Sequence, residues 1–186
     1  MRTLIVSSFL LLYFLSSCVT DTKKAELTQP ANTSTINKSE IDKTNKLYAH
    51  FTDNPQTQDQ KDENALIDYA IDKGLDVTRT ASGMYYVLQK EGTGTKMVQN
   101  QPFKAHYSGY FMDGKTFDSS LDRGEPLAAT VGAMIPGWNE ALKTFKVGSK
   151  MTLLIPSRLA YGSKGFPGYV PPNTPLIFDL EILPLM

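Results

Sequence analysis

The 186-residue chain balances 19 Lys and Arg against 19 Asp and Glu, and 41% of its residues are hydrophobic. That length and apolar content supports one packed domain with an extension. Zero net charge argues against nucleic-acid binding, which needs a cationic footprint. The single cysteine, Cys18, cannot close an internal disulfide.

The chain opens on Met1-Arg2, continues with an apolar run over residues 3–15, and places Ser16 and Ser17 before Cys18. This reads as a secretory signal, with an apolar run too short for an ordinary membrane span. Leu15-Ser16-Ser17-Cys18 resembles the bacterial lipobox. The resemblance implies a signal peptide over residues 1–17, cleavage before Cys18 and diacylglycerol on its sulfur. The expectation is a lipid-anchored protein of the cell envelope, at the outer membrane and facing the periplasm. A plain secretory signal with an incidental cysteine is the alternative. Residues 18–37 are rich in Thr, Lys, Asn, Ser and Gln and read as a flexible tether. About 20 residues of coil span roughly 25 Å.

Residues 38–82 read as a helical extension. Ile41, Thr44, Tyr48 and Phe51 recur at helical spacing, joined by Leu47. A second helix is predicted over residues 58–73, with Leu66, Tyr69 and Ala70 as its stripe and Gly74 as its stop. These helices either pack on their own domain or form a partner surface.

From Gly83 to the end the pattern is strand-rich. Met84 to Lys90 is a dense run of β-formers. Phe103, Ala105, Tyr107, Gly109 and Phe111 alternate with Lys104, His106, Ser108 and Tyr110, and Asp113-Gly114 marks a turn. One short helix follows Met134, with Pro136 in its first turn and Trp138, Ala141, Leu142 and Phe145 on one face. Met151 to Ile155 is another strand, and Leu176, Phe178, Leu180 and Ile182 alternate through the last. The expected fold is α+β, a twisted antiparallel sheet wrapped around one short helix, with the N-terminal helical extension added.

Motifs for ordinary catalysis fail. Gly92-Thr93-Gly94-Thr95-Lys96 lacks phosphate-loop spacing and a following helix. His50 and His106 are the only histidines and belong to no metal-spaced cluster. Ser119-Ser120 has no neighbouring base. Neither a metal nor a cofactor is expected. What remains is a set of rings and apolar residues with a few polar groups, which suits a reaction without proton transfer.

Residues 83–186 closely resemble the FKBP-type peptidyl-prolyl isomerases. The resemblance is carried by His106-Tyr107-Ser108-Gly109, Asp113 through Ser120, Ile135-Pro136-Gly137-Trp138, Leu159-Ala160-Tyr161-Gly162, and Pro171-Pro172-Asn173 through Phe178-Asp179-Leu180-Glu181. It implies that Tyr107, Asp118, Ile135 and Tyr161 are the catalytic residues. Trp138 is then the pocket floor, and Phe117 and Phe178 line it. Arg123 pairs with Asp118, Val170 sits on the rim, and Leu127, Met134 and Phe166 are further substrate contacts. The partners implied are proline-containing polypeptides and FKBP-directed inhibitors. Leu127 stands where better-known members carry an aromatic wall, Phe166 adds bulk to its loop, and residues 132–135 are shorter than in small drug-binding members. The alternative function is a chaperone or assembly scaffold of the same fold, such as a lipoprotein of a gliding or secretion apparatus.

Overall fold

The structure is a computed structural model that describes residues 38–185. The expected signal peptide and tether, with Cys18, fall outside the described residues. Two helices come first, α1 (Lys38–Tyr48) and α2 (Gln58–Asp72). Strands β1 (Thr78–Arg79), β2 (Tyr85–Lys90), β3 (Pro102–Tyr110), β4 (Thr116–Ser119) and β5 (Leu127–Thr130) follow. Helix α3 (Pro136–Thr144), β6 (Lys150–Ile155) and β7 (Leu176–Leu183) complete the chain, with short 3₁₀ turns at Ser157–Leu159 and Gly162–Lys164.

The sheet runs β1-β2-β6-β7-β3-β4, and every pairing is antiparallel. One edge of β3 is shared: β5 covers Pro102–Ala105 and β4 covers Ser108–Tyr110. Between them Ser120 Oγ accepts the Tyr107 N–H at 2.8 Å and donates to the Tyr107 carbonyl at 3.1 Å. The expected α+β arrangement is therefore the one observed.

Alternation along β6 and β7 divides the apolar residues between two faces, as the two-residue period of a strand requires. Met151, Leu153, Leu176, Phe178, Leu180 and Ile182 point to the face covered by α3, whose Trp138, Ala141 and Leu142 are buried there. Leu154, Ile177 and Tyr85 point to the opposite face, and α2 covers them with Leu66, Ile67 and Ala70. Ile67 is fully buried, whereas Tyr69, expected on the stripe, is only half-buried. Burying Leu66 and Ile67 contributes about 2 kcal/mol each. The extension thus packs on the domain's own sheet and forms a second core.

Local chemistry fixes both ends of α2. Thr57 and Gln60 form a reciprocal capping box. At the other end Gly74, at φ 60°, donates to Ile71 O, and Leu75 donates to Ala70 O. These two bonds are the Schellman stop that glycine permits. Helix α1 ends earlier than the periodicity predicts, at Tyr48, and leaves Ile41 and Tyr48 exposed. Only Leu47 and the following Phe51 reach the second core.

Candidate active site

Strand β3 delivers Tyr107, α3 delivers Trp138, β4 delivers Phe117 and β7 delivers Phe178. Their rings meet edge to face: Tyr107–Trp138 at 5.0 Å, Trp138–Phe178 at 5.4 Å and Phe117–Phe178 at 5.6 Å between centroids. This arrangement suits the ring quadrupoles and holds each side chain in one orientation. Gly109 lies beneath the pair from β4 and β7. A Cβ there would come within 2.6 Å of Phe117 Cζ and 2.9 Å of Phe178 Cε1. Gly137 plays the same part for α3: a Cβ would meet Ile155 Cγ2 at 2.8 Å, so its absence lets the helix seat Trp138. Trp138 is 1% exposed, and its Nε1 has no hydrogen-bond partner.

A polar group closes one side. The Tyr107 hydroxyl donates to Asp118 Oδ2 at 2.5 Å. Arg123 donates through Nη1 to Asp118 Oδ1 and through Nη2 to the Tyr107 hydroxyl at 2.8 Å. Burial pushes the Tyr107 phenol above its ordinary pKa, and the bond to Asp118 adds to this. The Tyr107 hydroxyl, followed by Asp118, holds the Arg123 guanidinium above its own. Tyr107 therefore stays neutral and Arg123 charged across the neutral range.

Ile135 is the N-cap of α3, with Pro136 at the first helical position. It offers no capping side chain, and Asn139 takes over the loop instead. Asn139 Nδ2 donates to Met134 O at 2.6 Å, and its Oδ1 accepts the Gly132 N–H at 2.7 Å. Among the described residues the Ile135 N–H forms no hydrogen bond. Ile135, Met134 and, from β5, Leu127 are partly buried against the core that holds Trp138.

Tyr161 lies between the two 3₁₀ turns. Its hydroxyl has no partner among the described residues, and burial followed by the charge of Asp118 pushes its pKa up. The Tyr161 ring stacks on Phe166 at 5.4 Å, and Phe166 stacks on Tyr169 at 5.0 Å. A tight turn makes this possible. Tyr169 N donates to Phe166 O at 2.9 Å, with Pro167 at the second position and Gly168, at φ 83°, at the third. Phe166 and Tyr169 are exposed.

The structure joins Tyr107, Phe117, Asp118, Arg123, Trp138 and Phe178 by direct contacts, and it stacks Phe166 on Tyr161. Val170, expected on the rim, is 3% exposed, belongs to the core cluster that holds Trp138, and is tied to Phe166 by a pair of backbone bonds. Sequence reasoning missed Asn139, Tyr169 and Phe111, whose ring lies 5.1 Å from Phe117. Phe111 could have been found from its place in the β3 alternation. Asn139 carried no signal beyond being polar in a helix's first turn.

Fold and site together bring four aromatic rings from an antiparallel sheet and one short helix into edge-to-face contact, with the hydrogen-bonded Tyr107–Asp118–Arg123 group beside them. The sequence profile of the FKBP-type peptidyl-prolyl cis-trans isomerases matches residues 94–183. The FKBP-type isomerase FkpA of Aeromonas hydrophila is 42% identical over 142 residues, which is 76% of this chain and 52% of that protein. The crystal structure of FkpA from Escherichia coli superposes with a TM-score of 0.61 at 37% identity, covering 77% of this chain and 63% of that one. A peptidyl-prolyl cis-trans isomerase from Pseudomonas syringae gives a TM-score of 0.60 at 31% identity, covering 72% of this chain and 97% of that one. The chain belongs to the FKBP-type peptidyl-prolyl cis-trans isomerase family. It spans about half the length of the first of these curated relatives.

Proposed function

We propose that this protein accelerates cis–trans rotation about X–Pro bonds in exported polypeptides while tethered to a membrane through lipidated Cys18. The observation that carries the catalytic part is the convergence of the Tyr107, Phe117, Trp138 and Phe178 rings beside Asp118 and Tyr161. The tether rests on the lipobox-like Leu15-Ser16-Ser17-Cys18 and the apolar run before it.

The chemistry follows from the bond. Amide resonance sets a barrier of about 18–20 kcal/mol. Proline brings cis and trans near each other in energy, yet exchange alone takes roughly tens to hundreds of seconds. At the twisted transition state resonance is lost and the carbonyl oxygen carries less charge. Water stabilises the planar, more polar amide better, so an apolar site favours the twisted form in relative terms. Desolvating an amide costs on the order of 1–3 kcal/mol, and each 1.36 kcal/mol of differential stabilisation is about tenfold in rate. The prolyl ring sits on Trp138. The Ile135 N–H and the Tyr161 hydroxyl donate to substrate carbonyls and hold the twisted conformer. Asp118, fixed by Tyr107 and Arg123, faces the rotating carbonyl. No proton moves, and the residues act by shape, dipole and desolvation.

The exposed Phe166–Tyr169 pair favours a second reading, a polypeptide-binding chaperone or scaffold in which isomerisation is secondary. A proline-peptide isomerisation assay on the full-length protein, with and without an FKBP-directed inhibitor, decides between them. Inhibitor-sensitive turnover supports the enzyme, and absent turnover leaves the scaffold. Metabolic labelling with a radioactive fatty acid tests the tether, which fails if label persists in Cys18→Ser.

A further inference from the structure

We infer that Asp62, on α2 of the helical extension, is a positioning residue for Tyr161 and makes the extension part of the catalytic apparatus. The inference rests on the role proposed above for the Tyr161 hydroxyl.

Asp62 is 1% exposed. A carboxylate that deep in a protein is costly unless its oxygens are occupied. Both are. Oδ1 accepts Gln58 Nε2 at 2.6 Å, from one turn earlier on the same helix. Oδ2 accepts the backbone N–H of Ser157 at 2.7 Å, across 95 positions of sequence. One oxygen is thus anchored to α2, and the other is committed to the segment that carries Tyr161.

That segment transmits the constraint directly. The Ser157 carbonyl accepts the N–H of Ala160, the residue before Tyr161, at 2.9 Å. On the other flank the Gly162 carbonyl accepts the Asn173 N–H at 2.9 Å. Tyr161 is therefore bracketed by two pinned peptides, and the first is pinned to α2. Ser157 is itself 2% exposed, so loss of Asp62 leaves a buried N–H without a partner.

The other links between α2 and this part of the chain are weak. Arg158 and Asp59 pair at 3.2 Å, but both are well exposed and contribute little. Gln58 Nε2 reaches Asn173 O only at 3.5 Å, beyond a good hydrogen bond. The bond to Ser157 is short and charge-assisted, the strong kind. Trp138 and Phe178 belong to the other core, across the sheet from α2. The extension thus reaches the site through Tyr161 and not through the pocket floor. A small displacement of a catalytic group has a large effect on rate, which gives such a pin its consequence.

A double-mutant cycle on the full-length protein tests this, with turnover of a proline peptide as the readout and circular dichroism as the check on folding. Asp62→Ala should lower kcat about tenfold in the wild-type background and have little further effect in Tyr161→Phe. Asp62→Asn, which keeps an acceptor for Ser157, should restore most of the rate. Equal slowing by Asp62→Ala in both backgrounds, or no slowing at all, overturns the inference. Wild-type turnover by Tyr161→Phe alone instead sinks the role of the hydroxyl, and the inference with it, so the two failures are told apart. Should Asp62→Ala not fold, Gln58→Ala carries the same cycle with a smaller expected loss, and its silence overturns the inference equally.

Discussion

The Tyr107 hydroxyl donates to Asp118 Oδ2 at 2.5 Å, joining the second ring of the pocket to its acidic edge. Arg123 bonds both partners, so the three side chains form one closed unit. Asp118 is the centre of that unit and, with Arg123, is partly exposed. Asp118→Ala should therefore affect turnover more than folding. The expected loss in kcat/KM is about tenfold, equivalent to one strong hydrogen bond, with the thermal midpoint lowered by only a few degrees, about 1 kcal/mol. An isomerisation assay and a melting curve on the same sample separate the two, and unchanged turnover removes Asp118 from the mechanism.

Activity should be nearly flat from about pH 6 to 8, because no group in the site exchanges a proton there. Burial raises the Tyr107 and Tyr161 pKa values, and Asp118 adds to both. Arg123 is held above its already high value. A steep bell in the pH profile of kcat/KM contradicts bond rotation without proton transfer.

Gly109→Ala tests the pocket's shape without touching a polar group. The added Cβ would stand 2.6 Å from Phe117 Cζ and 2.9 Å from Phe178 Cε1, so both rings must shift. Overpacking of this kind costs about 1–3 kcal/mol. The variant should fold with a lowered midpoint and lose most of its turnover. Full activity would show that the Phe117–Phe178 pair does not shape the productive site.

Stability should fall in acid through Glu63 on α2. It accepts Arg79 Nε at 2.6 Å and the Tyr85 hydroxyl at 2.8 Å. Burial alone raises its pKa, but the bonds from Arg79 and Tyr85, with the Arg79 charge, outweigh that and hold it below the ordinary value. A folded-state pKa below the unfolded one adds stability that is full above the unfolded value, near about 4.3 for a glutamate. That stability is lost as pH falls through the folded value. Denaturation midpoints of wild type and Glu63→Gln should therefore differ at pH 7 and converge on acidification below about pH 4. A gap that persists in acid refutes the linkage.

The parts legible in the sequence were those with a local period. Alternation along β3 and β7 and the apolar face of α3 each repeat within a few residues, so residue type alone placed them. Strand β5, Leu127–Thr130, has no such alternation and exists because Phe103 and Lys104 pair with it. Val170 sits between a glycine-containing turn and two prolines, and no local period there marks it as a core residue. Its burial accompanies two backbone bonds to Phe166, four positions away. Asn139 acts only on backbone atoms of residues 132 and 134, and the partner of Asp62 lies 95 positions away. Neither relationship leaves a trace in spacing or composition.

Trp138 is the only tryptophan in the chain, almost fully buried with an unpartnered indole N–H, and the proposed function makes it the floor on which the prolyl ring rests. Its emission therefore comes from a single place, so on that proposal the intrinsic fluorescence of the unlabelled protein should respond to occupancy of the site. Titration with a proline peptide or an inhibitor can be followed optically without attaching a probe, and a spectral shift reports on the surroundings of one known ring.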